Sequence, residues 1–242
     1  MKRRTLLFTA LGLPFLAEAK SSQSLIYYWI HRIRELAANL KSTSYQHTTD
    51  IDFASGEFKC DCSGFVGFFV RKTFPESYRS LQGEEAPWRK RPLAVTFHET
   101  IVRSGREKGA GWTEVQKIFE ARPGDIIAWR KDEVVRGEST GHVVFVVEKP
   151  VRELDGRYRV RVLDSTSRIH ADDTRAPDGD GVGEGTMWFQ VDGDFKPTGY
   201  FVDERKRLGK STQIAIGRLE DRSVGGSHGS TTAEDLEKEL DF

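Results

Sequence analysis

The amino-acid sequence predicts an α+β domain, with helices in its first half and an antiparallel β-sheet in its second half. In the first half, apolar residues recur at three- and four-residue steps, which is the period of an amphipathic helix. In the second half, short apolar or alternating runs are separated by Gly, Pro and Asp turns, as is typical of consecutive strands. The chain of 242 residues is long enough for one such domain, which we expect to span residues 20–220.

The N-terminus has the pattern of a secretory signal peptide. Lys2-Arg3-Arg4 precedes an apolar run, and Ala17-Glu18-Ala19 matches a small-residue cleavage signal. The apolar run is short for a membrane span. We therefore expect residues 1–19 to be removed and the protein to be exported, either periplasmic or secreted, without stable membrane insertion. A buried N-terminal helix is the alternative interpretation.

Charge and cysteine content narrow the class of protein. The 37 basic and 37 acidic residues give a formal net charge of zero, which argues against a nucleic-acid partner bound through a broad basic surface. Cys60 and Cys62 are the only cysteines, and they stand too close in the chain for a normal disulfide. In an exported chain without disulfides, such a pair indicates either chemistry or buried thiols.

The first half contains three predicted helices. An amphipathic helix follows Ser24, a plausible N-cap, and ends near Leu40. A polar loop, residues 45–58, leads to a second helix that starts at Cys62 and is apolar on nearly all sides, so that we expect it to be buried. A third helix is possible over residues 94–104.

The second half reads as strands joined by turns. Arg122-Pro123-Gly124-Asp125 is a turn before the first strand, and Asp155-Gly156 marks a hairpin. The predicted strands cover residues 126–129, 143–147, 158–163, 187–191, 199–202 and 214–219. Residues 168–184 form an acidic, Gly-rich loop in which His170, near Asp172 and Asp173, is expected to be solvated, the alternative being that it lines a substrate groove. Residues 221–242 are expected to form a flexible acidic tail.

Three residues together fit nucleophilic catalysis by a thiol. Cys62 stands at the start of a helix, where the helix dipole favours thiolate over thiol. Such a nucleophile needs a base, usually histidine, and a polar group that orients the base. His142 heads a strand and shares a face with Val144 and Val146, and Asp164 ends the strand across the hairpin. We expect this sheet face to pack on the helix of Cys62.

Less specific interpretations compete with this one. A cysteine in an apolar helix is more often a small buried hydrophobe, which is the role we assign to Cys60. A histidine that starts a strand is often structural, and Cys62, His142 and Asp164 could instead bind zinc. Asp178-Gly179-Asp180-Gly181 does not have the spacing of an EF-hand calcium loop, so a turn is favoured there.

Three motifs in order resemble the NlpC-type cysteine hydrolases. They are Asp61-Cys62-Ser63-Gly64-Phe65-Val66, Arg122-Pro123-Gly124-Asp125-Ile126-Ile127 and Gly141-His142-Val143. The resemblance implies a papain-like fold, with Cys62 as the nucleophile, His142 as the base and Asp164 as the third residue, a position that is often histidine in the family. It also implies that Tyr45, Asp61 and Ser63 bind substrate, with Asp61 holding a free amino group.

The resemblance implies a function as well. These enzymes cut peptide or amide bonds in peptidoglycan, so we expect hydrolysis of stem peptides through an acyl-enzyme, with no metal or other cofactor. The peptidoglycan or peptide substrate is the expected partner. An inactive cell-wall-binding module of the same fold, and an acyltransferase or esterase that uses the same triad, are the alternatives.

Overall fold

The computed structural model describes residues 14–81, 91–107, 111–205 and 209–220, with side chains from Leu25 onward. Within them the helices are α1 (Pro14–Ala38), α2 (Cys62–Thr73), α3 (Pro75–Arg79) and α4 (Ala94–Ser104), with a 3-10 turn at Ile118–Glu120. The strands are β1 (Ser42–Ser44), β2 (Asp50–Asp52), β3 (Glu57–Lys59), β4 (Trp112–Glu114), β5 (Ile126–Arg130), β6 (Gly141–Val146), β7 (Val151–Arg152), β8 (Tyr158–Thr166), β9 (Gly181–Val191), β10 (Pro197–Phe201), β11 (Lys210–Ser211) and β12 (Gln213–Leu219).

The protein has an α+β fold, as the sequence predicts. The larger sheet has the strand order β11-β10-β9-β8-β6-β5-β12-β4, all described neighbours are antiparallel, and β7 pairs with β8. A smaller sheet has the order β1-β3-β2, in which β1 and β3 are parallel. β6 and β8 lie at the centre of the larger sheet, and they carry His142 and Asp164 respectively.

Helix α2 is buried against one face of the larger sheet. Phe65 and Phe69 are fully buried, and the Phe65 ring meets the ring of Phe145 on β6 with centroids 6.0 Å apart. Val143 and Leu163 belong to the same core. The apolar residues on nearly all sides of this helix are thus explained by contacts with the sheet, α1 and the smaller sheet.

The sheet face on which α2 packs differs from the expectation. Val144 and Val146, the face partners of His142, belong to a second core on the opposite side, together with Val160 and Val162 of β8. Strand periodicity placed these residues on one face correctly, but it could not say which face the helix covers. His142 still contacts Cys62, because each lies at the beginning of its element.

Helix α1 begins at Pro14, so the expectation that Ser24 caps it is wrong. Ile30 and Ile33 are buried, as the helical period predicts, Trp29 is buried as well, and His31 is exposed. The predicted cleavage site after Ala19 lies within this helix, and residues 1–13 lie outside the described part of the chain. Cleavage and export remain predictions.

Two other predicted loops are more ordered than expected. The predicted loop over residues 45–58 contains β2 and most of β3, three-residue strands in which a single apolar residue between charged ones is too short a strand signal. Strand β9 begins at Gly181 and pairs with the whole of β8, so Asp164 lies inside β8 rather than at its end. The predicted tail, residues 221–242, lies outside the described residues. None of the described helices has the length and apolar character needed to cross a membrane.

Candidate active site

Cys62 is the first residue of α2 and lines an open cleft. The preceding residue, Asp61, caps the helix: its carboxylate accepts a hydrogen bond from the Gly64 N–H at 2.7 Å. Cys62 is 6% exposed, and Tyr45, Asp61 and Ser63 line the same cleft. The structure therefore brings the predicted nucleophile and all three predicted substrate-binding residues together at the positive end of a helix dipole.

His142 is the second residue of β6 and is held on three sides. Gly141 has φ +143°, and a Cβ there would run into the Trp129 carbonyl, so only glycine fits at the start of this strand. The His142 ring lies against the Trp129 ring, with centroids 5.1 Å apart. Its Nε2 lies 2.5 Å from Asp164 Oδ2, so Nδ1 is the nitrogen left for the hydrogen bond with Cys62.

The electrostatics favour a charged imidazolium. Burial alone would lower the pKa of His142, but the negative charge of the Cys62 thiolate and the hydrogen bonds to Asp164 and Cys62 raise the pKa of His142 from 6.5 to about 10. A histidine that remains protonated at neutral pH can pair with a thiolate. The His142 imidazolium therefore lies where it can pair with a Cys62 thiolate, the reactive form of a cysteine nucleophile.

The raised pKa of His142 predicts how the free energy of unfolding depends on pH. Because the folded-state pKa of His142 is raised from 6.5 to about 10, its protonated form stabilises the fold fully below about pH 6.5, and this contribution is lost as the pH rises through about 10. We expect the free energy of unfolding, measured by urea denaturation, to fall in the wild type between about pH 8.5, above which Cys62 of the unfolded chain is a thiolate as well, and about pH 10, and to fall less in His142→Gln. Parallel curves for the two proteins would contradict this. The pKa of the buried Cys60 thiol is raised in both proteins, so its titration changes the two stability curves equally.

Asp164 is fully buried and yet anionic. Arg175 Nη2 donates to its Oδ1 at 2.6 Å, and His170 Nε2 lies 2.9 Å from the Oδ2 that His142 also contacts. Burial would raise the pKa of Asp164, but the charge of His170 and the hydrogen bonds from His142 and His170 hold it well below the usual value. The third residue of the predicted triad is thus a carboxylate with partners on both oxygens.

Arg175 is not singled out by the sequence, and His170 is suggested there only as a residue of a substrate groove, not as a partner of Asp164. The expectation of a solvated His170 is wrong: His170 is 8% exposed and Arg175 is 9% exposed. Gly183 on β9 makes room for Arg175, because a Cβ there would lie 2.6 Å from the Arg175 Cγ. The available signal was the pair of glycines, Gly183 and Gly185, in the first half of β9, since glycine inside a strand marks close approach of another chain segment.

His142, Asp164 and His170 also resemble a metal site in their residue types and spacing. Among the described residues, His142, Asp164 and His170 have ligand atoms within 4.8 Å of one another, and Cys62 is not in this group. Both imidazole Nε2 atoms are directed at one carboxylate oxygen, and the Arg175 guanidinium lies 2.6 Å from the other. A divalent cation would meet that positive charge at close range, so the group fits a hydrogen-bonded network better than a metal site.

Tyr45 adjoins the thiol. It is half-buried, and burial, followed by the negative charges of Cys62 and Asp61, raises the pKa of Tyr45 above its ordinary value. The phenol is therefore neutral and can donate a hydrogen bond into the cleft. This position agrees with the predicted role in substrate binding, which remains a prediction.

Asp61 and Ser63 are already paired with Arg91, a residue that the sequence did not single out. Arg91 Nη2 donates to Asp61 Oδ2 at 2.5 Å, and Nη1 donates to Ser63 Oγ at 2.7 Å. His47 Nδ1 lies 3.3 Å from the same Asp61 oxygen. A substrate amino group would compete with Arg91 for Asp61, so the predicted contact requires that Arg91 share or leave this carboxylate.

Loss of the Asp61 cap has an expected cost. We expect Asp61→Ala to lower the free energy of unfolding by about 1 kcal/mol, because the Gly64 N–H loses its acceptor at the start of α2. Asp61→Asn keeps an acceptor oxygen and is the matched control for the cap. Urea denaturation of both variants measures the difference; equal stability of Asp61→Ala and wild type would contradict the capping role.

Cys60 is buried and does not line the cleft. It is 0% exposed, and burial raises the pKa of Cys60 to about 12, so that it is a neutral thiol at physiological pH. Its backbone carbonyl accepts a hydrogen bond from Ser165 Oγ at 2.6 Å, which ties the chain before α2 to β8. These features agree with the structural role expected of Cys60.

Comparisons with known proteins assign no activity. The chain is similar to an uncharacterised protein of Acanthamoeba polyphaga mimivirus, with 28% identity over 217 residues that cover 77% of this chain and 92% of the viral protein. No family model matches the chain. No solved structure matches it either.

Proposed function

We propose that the protein is a cysteine hydrolase of peptide or amide bonds, with Cys62 as nucleophile, His142 as general acid–base and Asp164 as the residue that orients His142. The observation that carries this proposal is the continuous chain of contacts from Cys62 through His142 to Asp164 beside an open cleft. A merely structural cysteine would have no need of a charged imidazole backed by a buried carboxylate.

The architecture around the triad supports a papain-like arrangement. The nucleophile begins a buried helix, the helix packs on an antiparallel sheet, and the base and its partner come from two central strands of that sheet. This is the arrangement implied by the resemblance to NlpC-type hydrolases, and we propose membership of that superfamily on these grounds. The three motifs fall on α2, on the turn before β5 and on the start of β6.

Each residue of the proposed triad has a role in one step of the reaction. The Cys62 thiolate attacks the amide carbonyl carbon, a C–S bond forms, and the oxygen becomes an oxyanion. The Gly64 N–H is taken by the Asp61 side chain and the Phe65 N–H by the Asp61 carbonyl, so the N–H groups of Cys62 and Ser63 are the candidates to stabilise that oxyanion. The candidate oxyanion hole therefore adjoins the nucleophile.

His142 then completes the reaction. It donates its proton to the departing amine nitrogen as the C–N bond breaks, leaving a thioester on Cys62. Neutral His142 next removes a proton from water, which attacks the thioester and releases a carboxylic acid and the thiolate. The imidazolium–thiolate pair is restored at the end of the cycle, and Asp164 remains anionic throughout.

The proposed substrate is a peptidoglycan stem peptide. The cleft is lined by side chains of both charges, among them Asp61, Arg91 and Glu138, which suits a short peptide with charged groups. The resemblance to NlpC-type hydrolases supplies the cell-wall substrate, and the predicted export would bring the enzyme to it. Both belong to the proposal.

Mass spectrometry of digested peptidoglycan fragments tests the proposal. We expect wild-type protein to produce new fragments that end at one type of amide bond, and we expect Cys62→Ala to produce none while retaining its fold. The variant Cys60→Ala is the matched control and should keep the activity. Binding of fragments without cleavage by the wild type would overturn the proposed hydrolase and favour a wall-binding module, and equal cleavage by Cys62→Ala would overturn the nucleophile.

A further inference from the structure

The loop between β8 and β9 closes around the buried end of the triad. Arg175 donates through Nε to the Gly181 carbonyl at 2.7 Å and through Nη1 to Asp173 Oδ2 at 2.8 Å. Asp173 Oδ2 also accepts from the His170 backbone N–H at 2.7 Å. The loop is thus fixed by its own ion pair and by β9, and it presents the His170 ring and the Arg175 guanidinium to Asp164.

We propose that His170 is a positioning residue for the reaction, which holds the Asp164 carboxylate so that Asp164 directs His142 toward Cys62. This inference rests on the proposed function. His170 acts through Asp164, since its Nε2 lies 2.9 Å from the same oxygen that His142 contacts.

A hydrogen bond from Arg175 alone would not fix the orientation of the Asp164 carboxylate. A carboxylate held by Arg175 at Oδ1 alone can still turn about its bond to Cβ and move Oδ2 out of line with His142. The His170 Nε2 contact fixes Oδ2 as well, so the carboxylate has one orientation. A fixed Oδ2 in turn fixes the plane of the His142 ring, and therefore the direction of its Nδ1 toward the sulfur.

The second ring nitrogen of His170 argues against a purely structural role. Its Nδ1 is buried and has no hydrogen-bond partner among the described residues. An apolar side chain of similar size would fill this position without leaving a buried polar atom unsatisfied. The unsatisfied nitrogen is expected where the other nitrogen serves the site, and the partner of that other nitrogen is Asp164.

The test compares two amide variants that differ in reach. In His170→Gln the side-chain N–H₂ can occupy the place of Nε2, whereas in His170→Asn it is too short to reach Asp164. The rate of Cys62 alkylation by iodoacetamide is measured from about pH 4 to pH 9. Trypsin leaves both cysteines on one peptide, Cys60–Arg71, so fragment ions are needed to assign the alkylated sulfur.

We expect His170→Asn to react about 10-fold more slowly than wild type near pH 6, because a misdirected imidazole no longer pairs with the thiolate. We also expect the acid limb of its profile to move to higher pH, because a thiolate that lacks an aligned imidazolium is protonated at higher pH. His170→Gln should restore both features. Profiles of the Asn variant that match the wild type in folded protein would overturn the proposal, as would equal slowing of both variants.

A measurement on the wild-type protein covers the case in which His170→Asn does not fold. In nuclear magnetic resonance spectra of protein with ¹⁵N-labelled histidine, we expect the His170 ring signals to shift when Cys62 is alkylated, because the loss of the thiolate changes His142 and hence the shared Asp164 oxygen. Unchanged His170 signals would overturn the proposal. Neither assay uses a substrate, so a failure of the proposed hydrolase activity is detected separately, by the digestion of peptidoglycan fragments.

Discussion

Replacement of His142 by alanine is expected to lower the rate of hydrolysis by about 10⁴-fold, a loss typical of removing one member of a catalytic triad. Without the imidazole, the Cys62 thiol has no partner to hold it as a thiolate and the departing amine has no proton donor. The rate is measured on peptidoglycan fragments, the proposed substrate, with circular dichroism to confirm that the variant is folded.

A surface histidine provides the matched control. His31 lies on the exposed side of α1, where it pairs with Glu35, and its side chain is 58% exposed. We expect His31→Ala to retain the wild-type rate. If His142→Ala keeps a rate within about 10-fold of the wild type, the role assigned to His142 is wrong.

Replacement of Asp164 by alanine is expected to have the largest effect on stability. The Arg175 side chain is 2% exposed; it would lose its partner at Oδ1 and, among the residues that the structure describes, keep only Asp173 as a counter-ion. Removing one member of a buried ion pair leaves an uncompensated buried charge, which costs about 3–5 kcal/mol. Urea denaturation at neutral pH measures the loss, and a change below about 1 kcal/mol would contradict the structural account of this pair.

Two controls separate the buried charge from other causes. In the double variant Asp164→Ala with Arg175→Leu, the unpaired guanidinium is also removed, so we expect part of the lost stability to return. The exposed pair of Glu76 and Arg79 serves as the second control, with side chains 64% and 71% exposed. We expect Glu76→Ala to change the free energy of unfolding by less than about 1 kcal/mol.

The local sequence signals predicted most of the secondary structure. The all-round apolar pattern after Cys62 gave α2, and the Arg122-Pro123-Gly124-Asp125 turn gave the start of β5. The possible helix over residues 94–104 is α4 with the same bounds. These elements could be predicted because helix period, turn residues and strand alternation are properties of neighbouring residues.

Features that depend on long-range contacts were not predictable in this way. The short strands β2 and β3 exist because β3 pairs with both β1 and β2, and each of the two strands has a single apolar residue, Ile51 or Phe58, between charged ones. The side of the sheet that α2 covers is set by the packing of the whole domain, since both faces of β6 are apolar. Local periodicity carries no information about either.

The candidate site also contains residues that local motifs identified and residues that only the tertiary fold brings together. Cys62 and His142 stand in recognisable motifs, and Asp164 followed from the expected pairing of two neighbouring strands. His170 and Arg175 reach Asp164 from a loop whose polar sequence is typical of a solvated segment, so their burial depends on the tertiary fold. Arg91 pairs with Asp61 across 30 positions of the chain, a contact that no local pattern indicates.

We propose that protonated His142 holds Cys62 as a thiolate. The most direct test of this proposal is the pH dependence of Cys62 alkylation by iodoacetamide in the wild-type protein and in His142→Ala. We predict fast alkylation of the wild type at and below neutral pH, while the variant reacts appreciably only above about pH 8, as ordinary thiols do. Identical profiles for the two proteins, both rising only above about pH 8, would contradict the claim.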